Sequence, residues 1–412
     1  IKSNPHKLGV WKSESRTHVS SMDEGDFRNN EISLTSDKHQ LLNIYHYSKN
    51  GKKTILKENI TVHEKAIIDC SYLNIKKLYD FLEKEIQECK KEDLLLSLHL
   101  KASMMKVSDP IIFGHVLKVF FKNFITKNSE ILNNINVNLN SGLSNFYEKI
   151  NNLTNDVKER LINEINIEFE NGPKVAMVNS EQNITNFHIP SDVIIDASMP
   201  AMIKSSGKMW DKNGGLYDTK AIIPDSSYSS IYQATIDFCK KNGEFDPATM
   251  GTVQNVGLMA KKAEEYGSHD KTFEIKEDGK VCVETKDGKI LFTHNVSNED
   301  IWRMCLVRNE AIEDWIKLAI DRAKSTNYPT IFWLDKKRSH DKQLIKVVEH
   351  ELKNIDISEL DIQILPPYEA TLFSLDKIKK GENVISVSGN VLRDYLTDLF
   401  PILELGTSAK ML

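Results

Sequence analysis

Two aspartates one helical turn apart are the residues of this chain whose chemistry is easiest to argue. Asp394 and Asp398 lie in a segment, Val391–Leu405, whose pattern predicts an α-helix. Residues i and i+4 share one helix face, and two carboxylates on one face offer hard oxygen ligands to Mg²⁺ or Mn²⁺. The guanidinium of the neighbouring Arg393 suits an anionic substrate. A solvated helix face is the alternative, but the apolar stretches on both sides favour a site.

A lysine that follows a buried strand is the next candidate. Asp93–Leu100 is a short, mostly apolar run that predicts a buried strand, and Lys101 comes directly after it. An amine in such a place is partly desolvated, which favours the neutral form that acts as a base. The alternative is a strand-end lysine that reaches solvent. Lys106 is a second lysine that the pattern alone leaves open.

Asp196 and Tyr266 lie at the ends of predicted elements. Asp196 ends a predicted strand that begins at Val193, and carboxylates at the carboxyl ends of strands are common functional positions in α/β sheets. A helix N-cap or an Asx-turn is the alternative for Asp196. Tyr266 lies at a predicted helix end that Gly267 would cap. The alternative there is a packing tyrosine with a solvated hydroxyl.

Strands and helices alternate along the chain, which predicts an α/β class with mixed sheets and flanking helices. The predicted strands are Leu41–Tyr47, Thr54–Val62, Asp93–Leu100, Lys174–Val178, Val193–Asp196, Thr330–Asp335 and Asp361–Leu365, with a strand-rich meander over Thr272–His294. The predicted helices are Asn74–Lys90, Pro110–Lys127, a pair within Leu143–Phe169, Ser227–Asn242, Asn309–Lys324, Asp341–Lys353 and Val391–Leu405. In both halves a strand-rich meander precedes a helix, a strand and a helix. We therefore expect two similar α/β subdomains: residues 1–190, which contain Lys101, and residues 191–412, which contain the other candidates.

Composition excludes several classes of protein. With 412 residues, 40% hydrophobic and 27% charged, the chain has the composition of a soluble globular protein of two or three domains. Its apolar runs are shorter than the ~20 residues that span a bilayer, and its net charge of -5 gives no basic field for nucleic acid. Five cysteines without a C-x-x-C pair argue against a zinc ribbon or a disulfide framework and favour a reducing cytosol, so we expect a cytoplasmic protein. The sequence has neither the Gly-rich dinucleotide loop nor the P-loop pattern.

Four long stretches resemble the monomeric type of NADP-dependent isocitrate dehydrogenase. They occur in the same order as in that family and are Leu98–Pro110, Ser191–Met202, Gly257–Phe273 and Gly389–Leu412. The resemblance extends over nearly the whole chain from Pro5 onward. It implies an isocitrate dehydrogenase-like fold. It also implies NADP-dependent oxidative decarboxylation of isocitrate to 2-oxoglutarate and CO₂, with Mg²⁺ or Mn²⁺ as the metal cofactor.

The resemblance assigns catalytic roles to two of the candidates. Lys101 matches the family's catalytic lysine, which handles the proton of the substrate's 2-hydroxyl, so the resemblance favours it over Lys106. Tyr266 matches the general acid, which protonates the enol carbon after CO₂ leaves. We therefore expect Lys101 and Tyr266 to face one cleft.

The resemblance also implies a metal and substrate site. Asp196 would join Asp394 and Asp398 around one Mg²⁺ or Mn²⁺ ion, with the carboxylates about 3–6 Å apart. Arg393, on the wall of the same cleft, would bind a carboxylate of isocitrate.

A further implication is that this chain is the catalytic part of a longer polypeptide. Family members continue at both ends, and their N- and C-terminal parts together form the other large domain. That missing domain would be the partner of this chain. It would hold NADP, so no cofactor-binding residue is predicted here, and it would complete the isocitrate site. We expect the isolated chain to be almost inactive, with a partly apolar surface near Leu399–Leu412.

Two other functions stay open from the residues alone. A metal-dependent lyase or aldolase could use the same lysine, metal and tyrosine on an enolate. Hydride transfer to a nicotinamide cofactor would separate the two kinds of enzyme. A non-catalytic structural domain would carry its acids on the surface and would not bind Mg²⁺ or Mn²⁺.

Overall fold

The fold is of mixed α/β class, as predicted, with several sheets and flanking helices. The computed structural model describes residues 9–102, 106–259, 263–264, 266–268 and 270–405. The strands are β1 His18–Ser20, β2 Ile32–Thr35, β3 Gln40–Ser48, β4 Lys53–Val62, β5 Ile67–Leu73, β6 Leu95–Leu98, β7 Met177–Asn179, β8 Ile184–Thr185, β9 Lys208–Trp210, β10 Leu216–Ile222, β11 Val253–Gly257, β12 Thr272–Glu274, β13 Gly279–Thr285, β14 Ile290–Val296, β15 Ile301–Val307, β16 Thr330–Trp333, β17 Ile362–Leu365 and β18 Val384–Ser388. The helices are α1 Ile75–Glu92, α2 Ser108–Phe120, α3 Lys122–Lys127, α4 Ser129–Asn134, α5 Leu143–Ile150, α6 Asn155–Asn171, α7 Ile195–Lys204, α8 Ser226–Asn242, α9 Asn309–Thr326, α10 Ser339–Lys353, α11 Pro367–Lys379 and α12 Arg393–Leu405.

Two sheets with parallel strands lead the chain into the candidate site. In one sheet β1 and β6 lie on either side of β10, and β9 adds an antiparallel pairing. The other sheet has the order β11-β18-β16-β17 and is parallel throughout. β6, β16 and β18 are buried along their whole length, which is typical of parallel strands covered on both faces. The chain reaches Lys101 just after β6 and enters α12 just after β18.

Two antiparallel sheets supply buried charged residues. Their strand orders are β12-β15-β5-β2 and β14-β13-β3-β4. β3 and β4 match two of the predicted strands and pair with each other in antiparallel fashion. β15 is buried throughout and β5 nearly so. Asp69 on β5 and Arg303 on β15 therefore lie in the interior, where a charge is tolerated only when it is paired and hydrogen-bonded.

Most predicted elements are confirmed within a few residues, but residues 193–196 are not a strand. Pro190–Val193 forms a 3₁₀ turn, and Asp196 is the second residue of α7. The run of β-branched residues before Asp196 is typical of a strand, yet only Ile194 bridges a neighbouring segment, at Leu100. Such residues favour a strand only where a full partner strand packs beside them, so tertiary context decides the outcome.

Two helix predictions are also corrected. Ala263 and Glu264 lie outside any helix, and Tyr266 and Gly267 form a turn in which Gly267 has a φ of +78°. Residues 260–262 and 265, within the predicted helix, lie outside the described residues. The helix predicted from Pro110 is divided between α2 and α3, which meet at Phe121.

Sheet pairing crosses the predicted subdomain boundary near residue 190. β10 pairs with β1 and β6, β13 pairs with β3, and β15 pairs with β5. Backbone hydrogen bonding therefore does not follow the division into residues 1–190 and 191–412. The division itself stays a prediction.

The predicted apolar surface near the end of α12 is wrong for the residues that the structure describes. Leu399, Phe400, Ile402 and Leu403 are all buried, and three of them join a core cluster with residues of α7 and α8. Residues 406–412 of the predicted surface lie outside the described residues. All five cysteines are buried free thiols. None of the described helices is both long and apolar enough to cross a membrane.

Candidate active site

A polar cleft lies where β6 and β18 lead into helices. Ten of its lining residues are polar or aromatic, and several are charged. The lining residues are Lys101, Lys106, Asp109, Asp225, Tyr228, Tyr266, Arg303, Asn390, Val391, Asp394 and Tyr395. The cleft thus brings together three of the residues that the sequence analysis selected: Lys101, Tyr266 and Asp394.

Lys101 is held at the cleft through both its backbone and its side chain. It is 8% exposed. Its backbone N–H donates to Asp109 Oδ1 in the first turn of α2, at 2.9 Å. Its Nζ donates to Asp196 Oδ1 at 2.5 Å and lies 3.9 Å from Asp394 Oδ2. The ring of Tyr395 lies 5.3 Å from the same nitrogen. Its amine therefore has one fixed position among carboxylates.

The three predicted metal-binding aspartates lie in one neighbourhood. Lys101 Nζ lies 2.5 Å from Asp196 Oδ1 and 3.9 Å from Asp394 Oδ2, so these two carboxylates are neighbours. Burial raises the pKa of Asp398 to about 6, and the charges of Asp196 and Asp394 add to the shift, whereas Lys101 opposes it. Mutual repulsion of this kind requires close carboxylates.

The donor set fits a hard divalent cation. Three carboxylates in a partly buried site offer the oxygen ligands that Mg²⁺ and Mn²⁺ prefer, and a cation would relieve the repulsion that raises the pKa of Asp398. The aspartates are more widely spaced than a tight ligand group. Among the described residues, the group of three ligand atoms mutually within 4.8 Å is His115, Glu274 and Glu299.

That second group is already neutralised by lysines. Glu299 accepts a hydrogen bond from Lys118 at 2.6 Å, and Glu274 accepts one from Lys276 at 2.6 Å. His115 contacts the Tyr79 hydroxyl through Nδ1 at 2.9 Å. None of the three residues lines the cleft.

Tyr266 is held as a protonated phenol. It is 4% exposed, and its hydroxyl donates to Asp69 Oδ2 at 2.5 Å. The guanidinium groups of Arg303 and Arg338 lie 5.2 and 5.3 Å from its ring centroid. Burial, together with the charge of Asp69, raises the pKa of Tyr266 well above its ordinary value. At neutral pH this side chain can therefore donate a proton but does not carry a charge.

Arg393 does not line the cleft within the described part of the chain. Its Nη1 donates to the backbone carbonyls of Leu258, at 2.8 Å, and Ala263, at 3.5 Å. Its Nε lies 3.6 Å from Asp394 Oδ1. The guanidinium thus fastens the start of α12 to the segment after β11 and lies beside the Asp394 carboxylate. Its predicted contact with substrate stays a prediction.

Sequence reasoning missed Arg303 and Asp225 in the lining of the cleft. The Arg303 guanidinium lies 3.6 Å from the centroid of the Phe27 ring, and its Nη2 lies 3.3 Å from Asp225 Oδ2. Arg303 is the only charged residue of the otherwise apolar strand β15. A lone charge in such a strand was a usable signal, since burial of a charge is costly without a specific partner.

Comparison with known proteins identifies the family. A family model described as monomeric isocitrate dehydrogenase matches residues 1–412. The chain belongs to this family. The resemblance stated from four stretches is therefore confirmed over the whole chain.

Curated members of the isocitrate dehydrogenase family are about half identical to this chain. Isocitrate dehydrogenase [NADP] of Azotobacter vinelandii is 52% identical over 409 residues, which are 99% of this chain and 55% of that protein. Isocitrate dehydrogenase [NADP] 2 of Colwellia maris is 51% identical over 411 residues, 100% of this chain and 55% of that protein. Isocitrate dehydrogenase [NADP] 2 of Mycobacterium tuberculosis is 48% identical over 410 residues, 99% of this chain and 55% of that protein. The chain thus spans about 55% of the length of these relatives.

Proposed function

We propose that this chain carries the catalytic part of an NADP-dependent isocitrate dehydrogenase, which oxidatively decarboxylates isocitrate to 2-oxoglutarate and CO₂. The observation that carries the proposal is the meeting of Lys101, Asp394 and Tyr266 at one polar cleft, with Asp196 in contact with Lys101. Relatives named as NADP isocitrate dehydrogenases support the cofactor and the substrate. The finer division of the fold into two similar subdomains belongs to the same proposal.

Each cleft residue has a distinct task in this reaction. Lys101, oriented by Asp196, takes up the proton of the substrate's 2-hydroxyl as hydride leaves C2. Tyr266, which stays protonated at neutral pH, gives its proton to C3 after CO₂ departs. Asp196, Asp394 and Asp398 would hold Mg²⁺ or Mn²⁺. When bound, this cation supplies Lewis-acid stabilisation of charge on the 2-oxygen.

The remainder of the longer polypeptide would complete the enzyme. It would hold NADP against the substrate and supply further contacts to isocitrate. The fact that this chain spans about 55% of the length of its relatives supports that division of labour. The predicted partners of this chain are therefore isocitrate and the missing N- and C-terminal domain.

A direct assay tests the proposal. The full-length protein that contains this chain is incubated with isocitrate, Mn²⁺ and NADP, and NADPH formation is followed by absorbance. We expect NADPH, CO₂ and 2-oxoglutarate in equal amounts. Cleavage of isocitrate without reduction of NADP would favour the lyase alternative, and absence of any reaction would contradict both.

A further inference from the structure

The hydroxyl of Tyr266 shares one carboxylate oxygen with a buried histidine. Asp69 Oδ2 accepts the hydrogen bond of the phenol at 2.5 Å, and the same oxygen lies 2.7 Å from Nδ1 of His340. Asp69 comes from β5 and His340 from the first turn of α10. Both side chains are about 1% exposed, and neither lines the cleft. Tyr266, Asp69 and His340 thus form a row that leads from the cleft into the core. Its Tyr266–Asp69 step is a hydrogen bond, and its Asp69–His340 step is a close ion pair.

The charges around this row favour a protonated histidine beside an ionised aspartate. Burial acts to lower the pKa of His340, but the Asp69 carboxylate outweighs it, so the net pKa lies above the ordinary value. Burial acts to raise the pKa of Asp69, yet His340 and the hydrogen bonds to Asp69 bring it below the ordinary value. An imidazolium at this place has a proton to give.

Other charged groups hold the row in place. Arg338 donates from Nε and Nη2 to the two oxygens of Glu31, at 3.1 and 2.7 Å. Glu31 Oε1 also accepts the backbone N–H of His340 at 2.9 Å, and Asp341 lies 3.5 Å from Arg338 Nη1. Glu31 therefore binds both Arg338 and the start of α10. These contacts hold the His340 imidazole against Asp69.

The proposed function creates a need for this row. When Tyr266 gives its proton to C3, it becomes a buried phenolate next to the Asp69 carboxylate. Desolvation and the charge of Asp69 disfavour that state, as the raised pKa of Tyr266 shows. Arg303 and Arg338 flank the ring, so their positive charges partly offset the negative charge of the phenolate. An arginine does not release a proton in a protein, however, so neither can restore the phenol. The contact that Lys106 makes with Tyr266 is to the backbone carbonyl oxygen.

Resting on the proposed function, we propose that Asp69 and His340 form a proton relay that restores to Tyr266 the proton it gives to the substrate carbon. The O–H bond of Tyr266 breaks as the C3–H bond forms. Asp69 Oδ2 then passes to the phenolate the proton that it receives from His340 Nδ1. Uptake of one proton at His340 between turnovers balances the proton that the substrate's 2-hydroxyl releases through Lys101. Asp69 and His340 act through Tyr266, as positioning and supply residues.

The test compares first and later turnovers in the full-length protein. The variants are His340→Gln and Asp69→Asn, which keep polar side chains of similar size but cannot pass the proton along. His294→Gln is the matched control, because His294 is another buried histidine, which accepts a hydrogen bond from Trp302 at 3.1 Å. Hydride transfer precedes protonation of C3. Tyr266 starts with its own proton, which completes the first turnover, and the second hydride transfer also comes before a proton is needed. Both relay variants should therefore form about two NADPH per site at the unvaried rate and then turn over roughly 10²-fold more slowly, the lower range for general acid catalysis.

Several further readouts separate a relay from a purely structural role. The KM for isocitrate should change by less than about threefold, and the solvent deuterium isotope effect on kcat should rise, since proton supply has become limiting. The two substitutions lie on different elements, β5 and α10, so the test stands even if one of them prevents folding.

Defined results would overturn the relay. If the rapid first formation of NADPH slows as much as kcat does, the residues have a structural role. If kcat stays within about twofold of that of the unvaried enzyme, Tyr266 regains its proton from another source. If the unvaried full-length protein forms no NADPH at all, the proposed function fails instead, so the two failures are distinguishable.

Discussion

At the scale of single residues, one lysine connects the site. Lys101 Nζ contacts Asp196 at 2.5 Å and approaches Asp394 at 3.9 Å, so the predicted base and the predicted metal ligands share one electrostatic environment. Removal of the amine takes away the predicted base but leaves the carboxylates. Metal binding and turnover should therefore respond differently to the same substitution.

The first prediction concerns the different responses of turnover and metal binding to loss of Lys101. In the full-length protein, Lys101→Met should lower kcat by about 10²–10⁴-fold, the range for loss of a general acid or base. Mn²⁺ affinity should stay the same or rise, because Asp196 loses Lys101, its competing hydrogen-bond partner. NADPH assays and Mn²⁺ titration check the two effects. Lys106→Met serves as the companion variant: near-normal turnover in Lys101→Met with loss in Lys106→Met would transfer the role to Lys106.

The second prediction follows from the pKa of Asp398, which is raised to about 6. A raised pKa means that the folded protein holds this proton up to a higher pH than an ordinary carboxyl does. A cation must displace the proton, so Mn²⁺ affinity should fall by up to about tenfold per pH unit below the pKa. Titration calorimetry in buffers of different ionisation enthalpy should detect proton release at a pH near 6.

Asp398→Asn is the control for this effect. The amide holds no titratable proton, so the variant should bind Mn²⁺ more weakly but with a flatter pH dependence. The same sign applies to stability without metal: as pH falls toward 6, the folded state takes up a proton that the unfolded chain does not, and folding is favoured. Equal pH dependence in the variant and the unvaried protein would contradict the assignment.

At the scale of elements, the position of α12 decides where the aspartate pair lies. Asn255 on β11 donates to the backbone carbonyl of Arg393 at 2.9 Å and to Thr397 Oγ1 at 2.9 Å. A Cβ added to Gly257 would lie 2.9 Å from Arg393 Cβ. The glycine at the end of β11 therefore permits the close approach that sets the start of α12, one residue before Asp394.

The third prediction uses this contact. Gly257→Ala should force α12 away from β11, which costs about 1–3 kcal/mol of unfolding free energy by overpacking. It should also weaken Mn²⁺ binding, because Asp394 moves with the helix. Gly389→Ala is the matched control, since its added Cβ would meet Leu344 Cδ1 at an ordinary 3.6 Å. Chemical denaturation and Mn²⁺ titration of both variants check the prediction, and equal effects in the two would contradict it.

At the scale of the whole molecule, the chain brings strands from distant parts of the sequence into shared sheets. β15 pairs with β5 and β10 pairs with β6, so Tyr266, Asp69 and Lys101 depend on long-range pairing for their meeting. The paired strands that bring these side chains together all belong to this chain. The missing length of the relatives would add substrate and cofactor contacts.

The fourth prediction compares this chain with the full-length protein. The isolated chain should bind Mn²⁺ but should form NADPH from isocitrate at well under a tenth of the full-length rate, because holding the cofactor against C2 supplies a large part of the rate. Mn²⁺ titration and the NADPH assay are run on both proteins side by side. Activity of the chain within about tenfold of the full-length protein would reveal a cofactor site among these residues.

The sequence by itself determined the features that depend on local backbone periodicity. A helix places residues i and i+4 on one face, so Asp394 and Asp398 could be paired without a structure. An apolar run before Lys101 predicted a buried strand, and β6 confirms it. The α/β class likewise followed from alternating strands and helices.

Only the tertiary structure decided which distant side chains meet. The predicted strand Val193–Asp196 is instead the end of a 3₁₀ turn and the start of α7, because only Ile194 in it bridges a neighbouring segment. Arg393 turned to backbone carbonyls instead of the cleft. Asp69 and His340 reached Tyr266 although they are separated from it by 197 and 74 positions. Local pattern fixes the direction of a side chain relative to its own element. The partner at the other end of a hydrogen bond depends on how whole elements pack, and no short window of sequence contains that information.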